Sequence, residues 1–232
     1  MSSTEHGAAV AKFFDGWAQD GHAERMERGH SARAEEALRS MPLKQGQSAL
    51  DLGCGNGWAT RWIHDCVALG GGSAVGVDLA SEMVAKASQI APEVTSLSFQ
   101  RADFSDMPFD SGTFDHVFSM EAIYYVDDVP RTLDEIRRVL GGGGCLTLCM
   151  DYFTENPYCV GWPELTGLTM QLFSENRWKD MLRAAGFSQI RAFRCFDARP
   201  IPEDLDRSEA EELRHFREEI GSLALQAFKA GE

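Results

Sequence analysis

The stretch ALDLGCGNG, residues 49–57, sets three glycines at alternate positions behind a short apolar run that carries an aspartate. Glycine loses more backbone freedom on folding than any other residue, so three within five positions mark a chain that must bend sharply or admit something close. Working outward, Ser48–Leu52 reads as a short apolar strand and Trp58–Leu69 as the helix after the turn. Ser73–Asp78, Thr95–Ala102, Phe114–Met120 and Cys145–Met150 read as further strands, with helices over Ser81–Ile90 and Pro130–Leu140. The second of these helices carries Val129, Leu133, Ile136 and Leu140 as one stripe, has Pro130 in its first turn, and is expected to stop at Gly141–Gly144. Strands and helices alternating at these lengths argue for a mostly parallel α/β sheet with helices on both faces.

The ends differ from the middle. Val10, Phe13, Phe14 and Trp17 share one helix face, and a second helical stretch follows over about 23–38 with Gly29 interrupting it. Residues 151–173 are irregular and aromatic; Asn176–Ala185 reads as a helix closed by Gly186, and Ser188–Phe196 as a sixth strand. Ser208 and Glu211 have capping-box spacing and should open another helix before a last strand at Ser222–Lys229. The expected division is one domain: a helical cap over 1–45, a core over 46–150, and a half over 151–232 with a helical insertion at 199–220.

A chain of 232 residues with 44% hydrophobic content is long enough for a substantial core. No apolar run reaches the roughly 18–20 residues that cross a bilayer, and the first residues lack the basic and apolar regions of a signal peptide, so a cytoplasmic setting is expected. The six cysteines fall without CxxC spacing, which supports neither a disulfide framework nor a metal site. A net charge of -14 works against binding nucleic acid. Among the basic residues 17 are Arg and five are Lys, a balance that suits either a high-salt cytoplasm or an ordinary acidic enzyme from a GC-rich genome.

In open α/β sheets, ligands bind beyond the carboxyl ends of the strands. The spacing of Gly53, Gly55 and Gly57 departs from the dinucleotide fingerprint, whose third glycine would fall on Trp58 or Thr60. Asp78 ends the second strand, where an acid can accept both hydroxyls of a ribose, and Asp103 follows the third strand, where it can accept an adenine amine. A glycine loop with these two acids and no Walker motif describes a nucleoside without a triphosphate.

With ALDLGCGNG, VGVDLASEMV, RADFSDMPFDSGTFDHVFSMEAIYYV and the LGGGGCLTL run together, the chain resembles the class I S-adenosylmethionine-dependent methyltransferases over about residues 48–150. Within them it looks most like the small-molecule, quinone C-methyltransferase-like (type 11) group. The resemblance implies a Rossmann-like sheet of seven strands, the final one antiparallel. It implies S-adenosyl-L-methionine as cofactor, with Asp51 orienting the loop and holding the methionine ammonium and the Gly53 carbonyl beside it. Gly55 would let the backbone lie against the cofactor. Asp78 would hold the ribose, Leu79 and Met83 would pack on adenine, Asp103 and the Phe104 backbone would read its edge, and Ser119 would line the methionine.

A sulfonium methyl needs a nucleophile aligned with the S–CH3 bond and kept from water, and a base where that nucleophile carries a proton. Candidates for such a base or for the acceptor wall are Glu121 and Tyr124 after the fourth strand, Asp151 after the fifth, and His30 in the cap. Each also has a structural reading: Glu121 as cofactor-facing, Tyr124 as packing, Asp151 as the start of a turn, His30 as a satisfied side chain. Aromatics at Phe13, Phe14, Trp17, Tyr152, Phe153, Tyr158 and Trp162 suit an apolar or aromatic small molecule as methyl acceptor, with the insertion roofing its pocket. Two alternatives are a module that binds S-adenosylmethionine without transfer and a macromolecular methyltransferase. Against the latter, the segment after the fourth strand lacks both the Pro-Pro-aromatic loop of DNA amide methylation and the glutamate pair of arginine methylation.

Overall fold

The computed structural model describes residues 3–90 and 94–231. Helices α1 (Ser3–Gln19) and α2 (His22–Ser40) precede strand β1 (Ser48–Leu52). There follow α3 (Trp58–Val67), β2 (Ser73–Asp78), α4 (Ser81–Ile90), β3 (Leu97–Arg101), β4 (Phe114–Met120), α5 (Val129–Val139) and β5 (Leu140–Met150). The last third holds α6 (Trp162–Thr166), α7 (Glu175–Ala184), β6 (Phe187–Cys195), α8 (Arg207–His215) and β7 (Ser222–Lys229).

The seven strands lie in the order β3-β2-β1-β4-β5-β7-β6. The pairs from β3 to β5 are parallel, and β7 runs antiparallel to both β5 and β6. β1 is thus flanked by β2 on one side and β4 on the other, so the chain leaves it in both directions and opens a crevice at the carboxyl ends. The strands are buried on both faces: Leu50, Leu52, Val77, Val117 and Leu148 are fully enclosed, which is why their sequence reads as continuous apolar runs.

Three local expectations change. α2 runs unbroken through Gly29 because its other side, Ala34, Ala37 and Leu38, is buried; that packing outweighs the roughly 1 kcal/mol that a mid-helix glycine costs. The Gly141–Gly144 run does not separate helix from strand; it lies inside β5, where the pairing with β4 shifts register between Phe114 and His116. The capping box is formed by Asp206 and Glu209 rather than Ser208 and Glu211: the Asp206 carboxylate accepts from the Glu209 N–H at 2.9 Å, and the Glu209 carboxylate from the Asp206 N–H at 3.0 Å.

The first two helices dock over the crevice. Asp15 of α1 accepts from the Glu82 N–H at 2.8 Å, and Lys86 of α4 donates to the Ala18 carbonyl at 3.0 Å while pairing with Glu24 of α2 at 2.6 Å. Phe14 meets Tyr125 edge-on with ring centroids 5.1 Å apart. No helix among the described residues is long and apolar enough to cross a membrane.

Candidate active site

The loop between β1 and α3 folds as its glycines require. Gly53 and Gly55 take φ of 76° and 53°, a region that favours glycine. A Cβ on Gly53 would come within 2.2 Å of the Ala122 Cβ, whereas one on Gly55 would meet nothing within 4 Å. Gly53 therefore lets the segment after β4 close in, and Gly55 keeps the backbone open to the crevice.

A cleft of about 1110 Å³, counted to its open mouth, lies between this loop and the α1–α2 cap. Asp51, Gly53, Gly55, Asp78, Leu79, Met83, Asp103 and Phe104 all line it. Asp78 ties the cradle together, its carboxylate accepting from the Gly55 N–H at 3.0 Å and from the Ala80 N–H at 2.9 Å. Burial raises its carboxyl above the usual range. One oxygen of exposed Asp103 accepts from the N–H and hydroxyl of Ser105, both at 2.8 Å. Asp51 is 2% exposed and takes the Thr60 hydroxyl at 2.6 Å; burial pushes its carboxyl up to about 7. Ser119 stands outside the lining. It is fully buried and donates to the Leu52 carbonyl at 3.0 Å, joining the ends of β1 and β4 behind the cleft wall.

The four residues proposed for acceptor chemistry converge. Tyr124 donates to one Glu121 oxygen at 2.7 Å, and the Asp151 N–H donates to the other. One ligand atom each from His30, Glu121 and Asp151 lies within 4.8 Å of the other two. His30 and Glu121 line the cleft; Tyr124 is buried behind it, and Asp151 lies on the far side of the cluster. Burial, then the Asp151 charge, holds the Glu121 carboxyl well above the ordinary range, while desolvation lowers His30 to about 4. Glu121 also takes a φ of 53°, a left-handed conformation that costs a non-glycine residue of order 1–3 kcal/mol and that clusters at functional sites.

Asp151 faces a second, more open cleft, walled by Tyr158, Trp162, Leu205, Leu213 and Phe216 with Arg33 beside it. The insertion thus roofs this second cleft, and no residue of 199–220 lines the first. Its root clamps the cap: Arg199 donates to the Arg28 carbonyl and, at 2.9 Å, to that of Gly29, while its guanidinium pairs with buried Asp197 at 2.6 Å. His30 is the next residue along that helix. Of the aromatics, Phe14 lines the first cleft, Tyr158 and Trp162 the second, and Tyr152 and Phe153 are buried.

Residues 50–148 match the family model described as a methyltransferase domain. An O-methyltransferase of Pyrenophora dematioidea is 30% identical over 174 residues, covering 71% of this chain and 61% of that protein. A sterol 24-C-methyltransferase of Gibberella zeae is 34% identical over 138 residues, or 56% of this chain and 36% of that protein. The chain therefore spans less than two thirds of the length of these curated relatives. Over nearly its full length it superposes on a chain from the complex between the Haloferax volcanii Trm112 methyltransferase activator and a methyltransferase. The TM-score is 0.86 and the identity 34%, with 94% of this chain and 97% of that one covered. The chain belongs to the class I S-adenosylmethionine-dependent methyltransferases.

In this chain the residues present fit the family's cofactor. A buried acid with a raised pKa, Asp51, faces a cleft among whose described lining residues there is no Lys or Arg, a setting that favours a cationic ligand group. Leu79, Met83 and Phe104 offer apolar surface beside Asp78 and Asp103. Tyr125, next to Tyr124 after the fourth strand, also lines the cleft, as do His6 and Glu27, which sequence reasoning passed over. His6 accompanies Val10 and Phe14 at a spacing of four on the docked face of α1, a periodic signal that would have found it. Glu27 accepts from the Asn56 side chain at 2.7 Å and so ties α2 to the glycine loop; no local signal announces that contact.

Proposed function

We propose that this chain transfers the methyl group of S-adenosylmethionine to a small, apolar or aromatic acceptor by in-line displacement. The observation that carries this reading is a single cleft where the glycine loop, the acids after β2 and β3, and the His30–Glu121 pair face one another under a partly apolar cap. When bound, the cofactor supplies an electrophilic methyl on a positively charged sulfur.

The chain's own groups then have distinct tasks. Asp51 and the Gly53 carbonyl hold the methionine ammonium, and Gly55 lets the backbone lie against the ligand. Asp78 accepts the ribose hydroxyls, Leu79 and Met83 pack on the adenine, and Asp103 with the Phe104 backbone reads its edge. Ser119 acts from behind by fixing the two strand ends. Val10, Phe14 and Met26 exclude water from the transfer path, which strengthens every electrostatic contact inside. In this assignment residues 1–45 are the cap, 46–150 the cofactor core and 151–232 the acceptor-side half.

The test is transfer of label from methyl-labelled S-adenosylmethionine into a metabolite extract, separated into organic, aqueous and macromolecular fractions. Protein-dependent label in a small-molecule fraction supports the reading. Cofactor binding with no transfer to any fraction would favour a binding module instead.

The Haloferax volcanii relative, solved with an activator protein, supports a second reading in which this chain works with a protein partner on a macromolecule. Label confined to the macromolecular fraction, appearing only when an activator of that kind is co-expressed, would select it.

A further inference from the structure

We propose that the methyl acceptor is an amine that enters as its ammonium ion, and that His30, backed by Glu121 and Asp151, takes its proton before transfer to nitrogen. This inference rests on the methyltransferase reading above and adds the acceptor's chemical class.

The first observation is the charge of the cleft. Glu27, Asp51, Asp78, Asp103, Glu121 and Asp127 line it, and no described lining residue is Lys or Arg. Three of these acids lie in the cofactor cradle. The Glu27 carboxylate is engaged by Asn56 at 2.7 Å, with Arg61 4.0 Å away. Glu121 and Asp127 remain, and Glu121 stands at the acceptor end beside His30 and Asp151. Arg33, the cation nearest this cluster, pairs with Asp151 at 2.8 Å and lines the second cleft, not the first. An anionic acceptor would meet repulsion with no fixed positive group to offset it.

The second observation is what proton removal would create. From an alcohol or phenol it leaves an oxyanion that no described lining Lys or Arg offsets, beside an Asp151 carboxylate already paired with Arg33. From an ammonium it leaves a neutral amine. In the transfer itself the nitrogen lone pair forms the new N–CH3 bond while the C–S pair stays on sulfur, leaving a neutral thioether. The positive charge passes to nitrogen, on the side of the carboxyl groups. That wall is complementary to the charge of the N-transfer transition state, which is where binding raises rate.

The third observation is the state of His30. It lines the cleft, and desolvation keeps its imidazole neutral at pH 7, a weak base that relays the ammonium's proton towards solvent and does not hold it. The short-lived imidazolium so formed stands next to the Asp151 carboxylate, whose charge favours it until the proton passes to solvent.

The test measures binding, not turnover. Titration calorimetry with S-adenosylhomocysteine establishes the cofactor site; then, with that ligand saturating, benzylamine and tryptamine are compared with benzyl alcohol and tryptophol and with phenylacetate and indole-3-acetate. We expect the amines to bind about tenfold or more tighter than the matched alcohols, and the carboxylates to give no measurable heat. Because an ammonium beside Glu121 favours its ionised form, Glu121→Gln should erase that preference while leaving alcohol and S-adenosylhomocysteine affinities within about twofold, and His30→Gln should keep amine binding but slow methylation of whichever amine binds. Equal or tighter binding of alcohols or carboxylates by the unaltered protein, or no amine binding up to about 10 mM, overturns the proposal whatever the variants do. If S-adenosylhomocysteine itself does not bind, the methyltransferase reading falls first and the amine proposal with it.

Discussion

Arg33 of α2 and Asp151 at the end of β5 form an ion pair at 2.8 Å with side-chain exposures of only 10% and 5%. Ser222, the first residue of β7, donates to the other Asp151 oxygen at 2.5 Å, so the cap, the middle of the sheet and the last strand meet at one carboxylate. The pair also separates the two clefts. Removing one partner leaves a charge buried without compensation, so Arg33→Ala should cost about 3–5 kcal/mol in urea unfolding. A loss below about 1 kcal/mol would mean that water reaches the pair in solution.

Gly53 and Gly55 should respond differently to alanine. At Gly53 the added Cβ collides with Ala122 and the backbone is left-handed, so Gly53→Ala should destabilise by about 2 kcal/mol or more and abolish cofactor binding. At Gly55 the Cβ meets no protein atom, so stability should fall by only about 1 kcal/mol while cofactor affinity drops at least tenfold. Thermal melts with and without S-adenosylhomocysteine separate the two.

Asp51 should make cofactor binding pH-dependent. Its carboxyl, raised to about 7 by burial, is largely protonated at pH 6, and an ammonium beside it favours the ionised form. Binding S-adenosylmethionine near pH 6 should therefore release close to one proton, falling towards none by about pH 9. Calorimetry in buffers of different ionisation enthalpy measures that number, and Asp51→Asn should remove it. The same shift predicts that Asp51 costs the free protein stability as pH rises from 3.8 to about 7, because the folded state holds the proton longer.

His30 acts with the opposite sign. Its folded pKa of about 4 lies below the ordinary 6.5, so between those values the unfolded chain binds more protons and stability falls with acidification. His30→Gln should lose about 1–3 kcal/mol less than the unaltered protein between pH 7 and pH 4. Parallel stability curves for the two would place the imidazole in solvent instead.

Salt should stabilise the protein. With 36 Asp and Glu against 22 Lys and Arg, surface self-repulsion dominates, and screening relieves it. The melting temperature should rise by several degrees between about 0.05 and 1 M KCl. An unchanged or falling value would show that the ion pairs now present outweigh the repulsion.

The sheet and the turns at its carboxyl ends were legible in the sequence because their signals are local. Short apolar runs mark strands buried on both faces, ALDLGCGNG marks a turn that only glycines adopt cheaply, and Asp78 and Asp103 follow directly from the ends of their strands. The starts of α8 and β5 were misplaced, since Ser208 and the Gly141–Gly144 run carry turn chemistry that tertiary pairing overrode. The cluster at the far end of the cleft was not legible at all as a unit. His30, Glu121 and Asp151 sit on three elements far apart in the chain, and each alone reads as an ordinary side chain. Nor does any local pattern assign the insertion to the second cleft, or Arg199 to the helix that carries His30. Docking of α1 and α2 onto the strand ends brings these groups together, and that docking is a sum of many small long-range contacts. The sequence by itself therefore determined the parallel sheet and the glycine turn at its crevice, because backbone conformation and periodicity are local properties. The tertiary structure alone decided which titratable groups share a cleft and how burial shifts their protons, because both depend on distances that no short stretch of chain encodes.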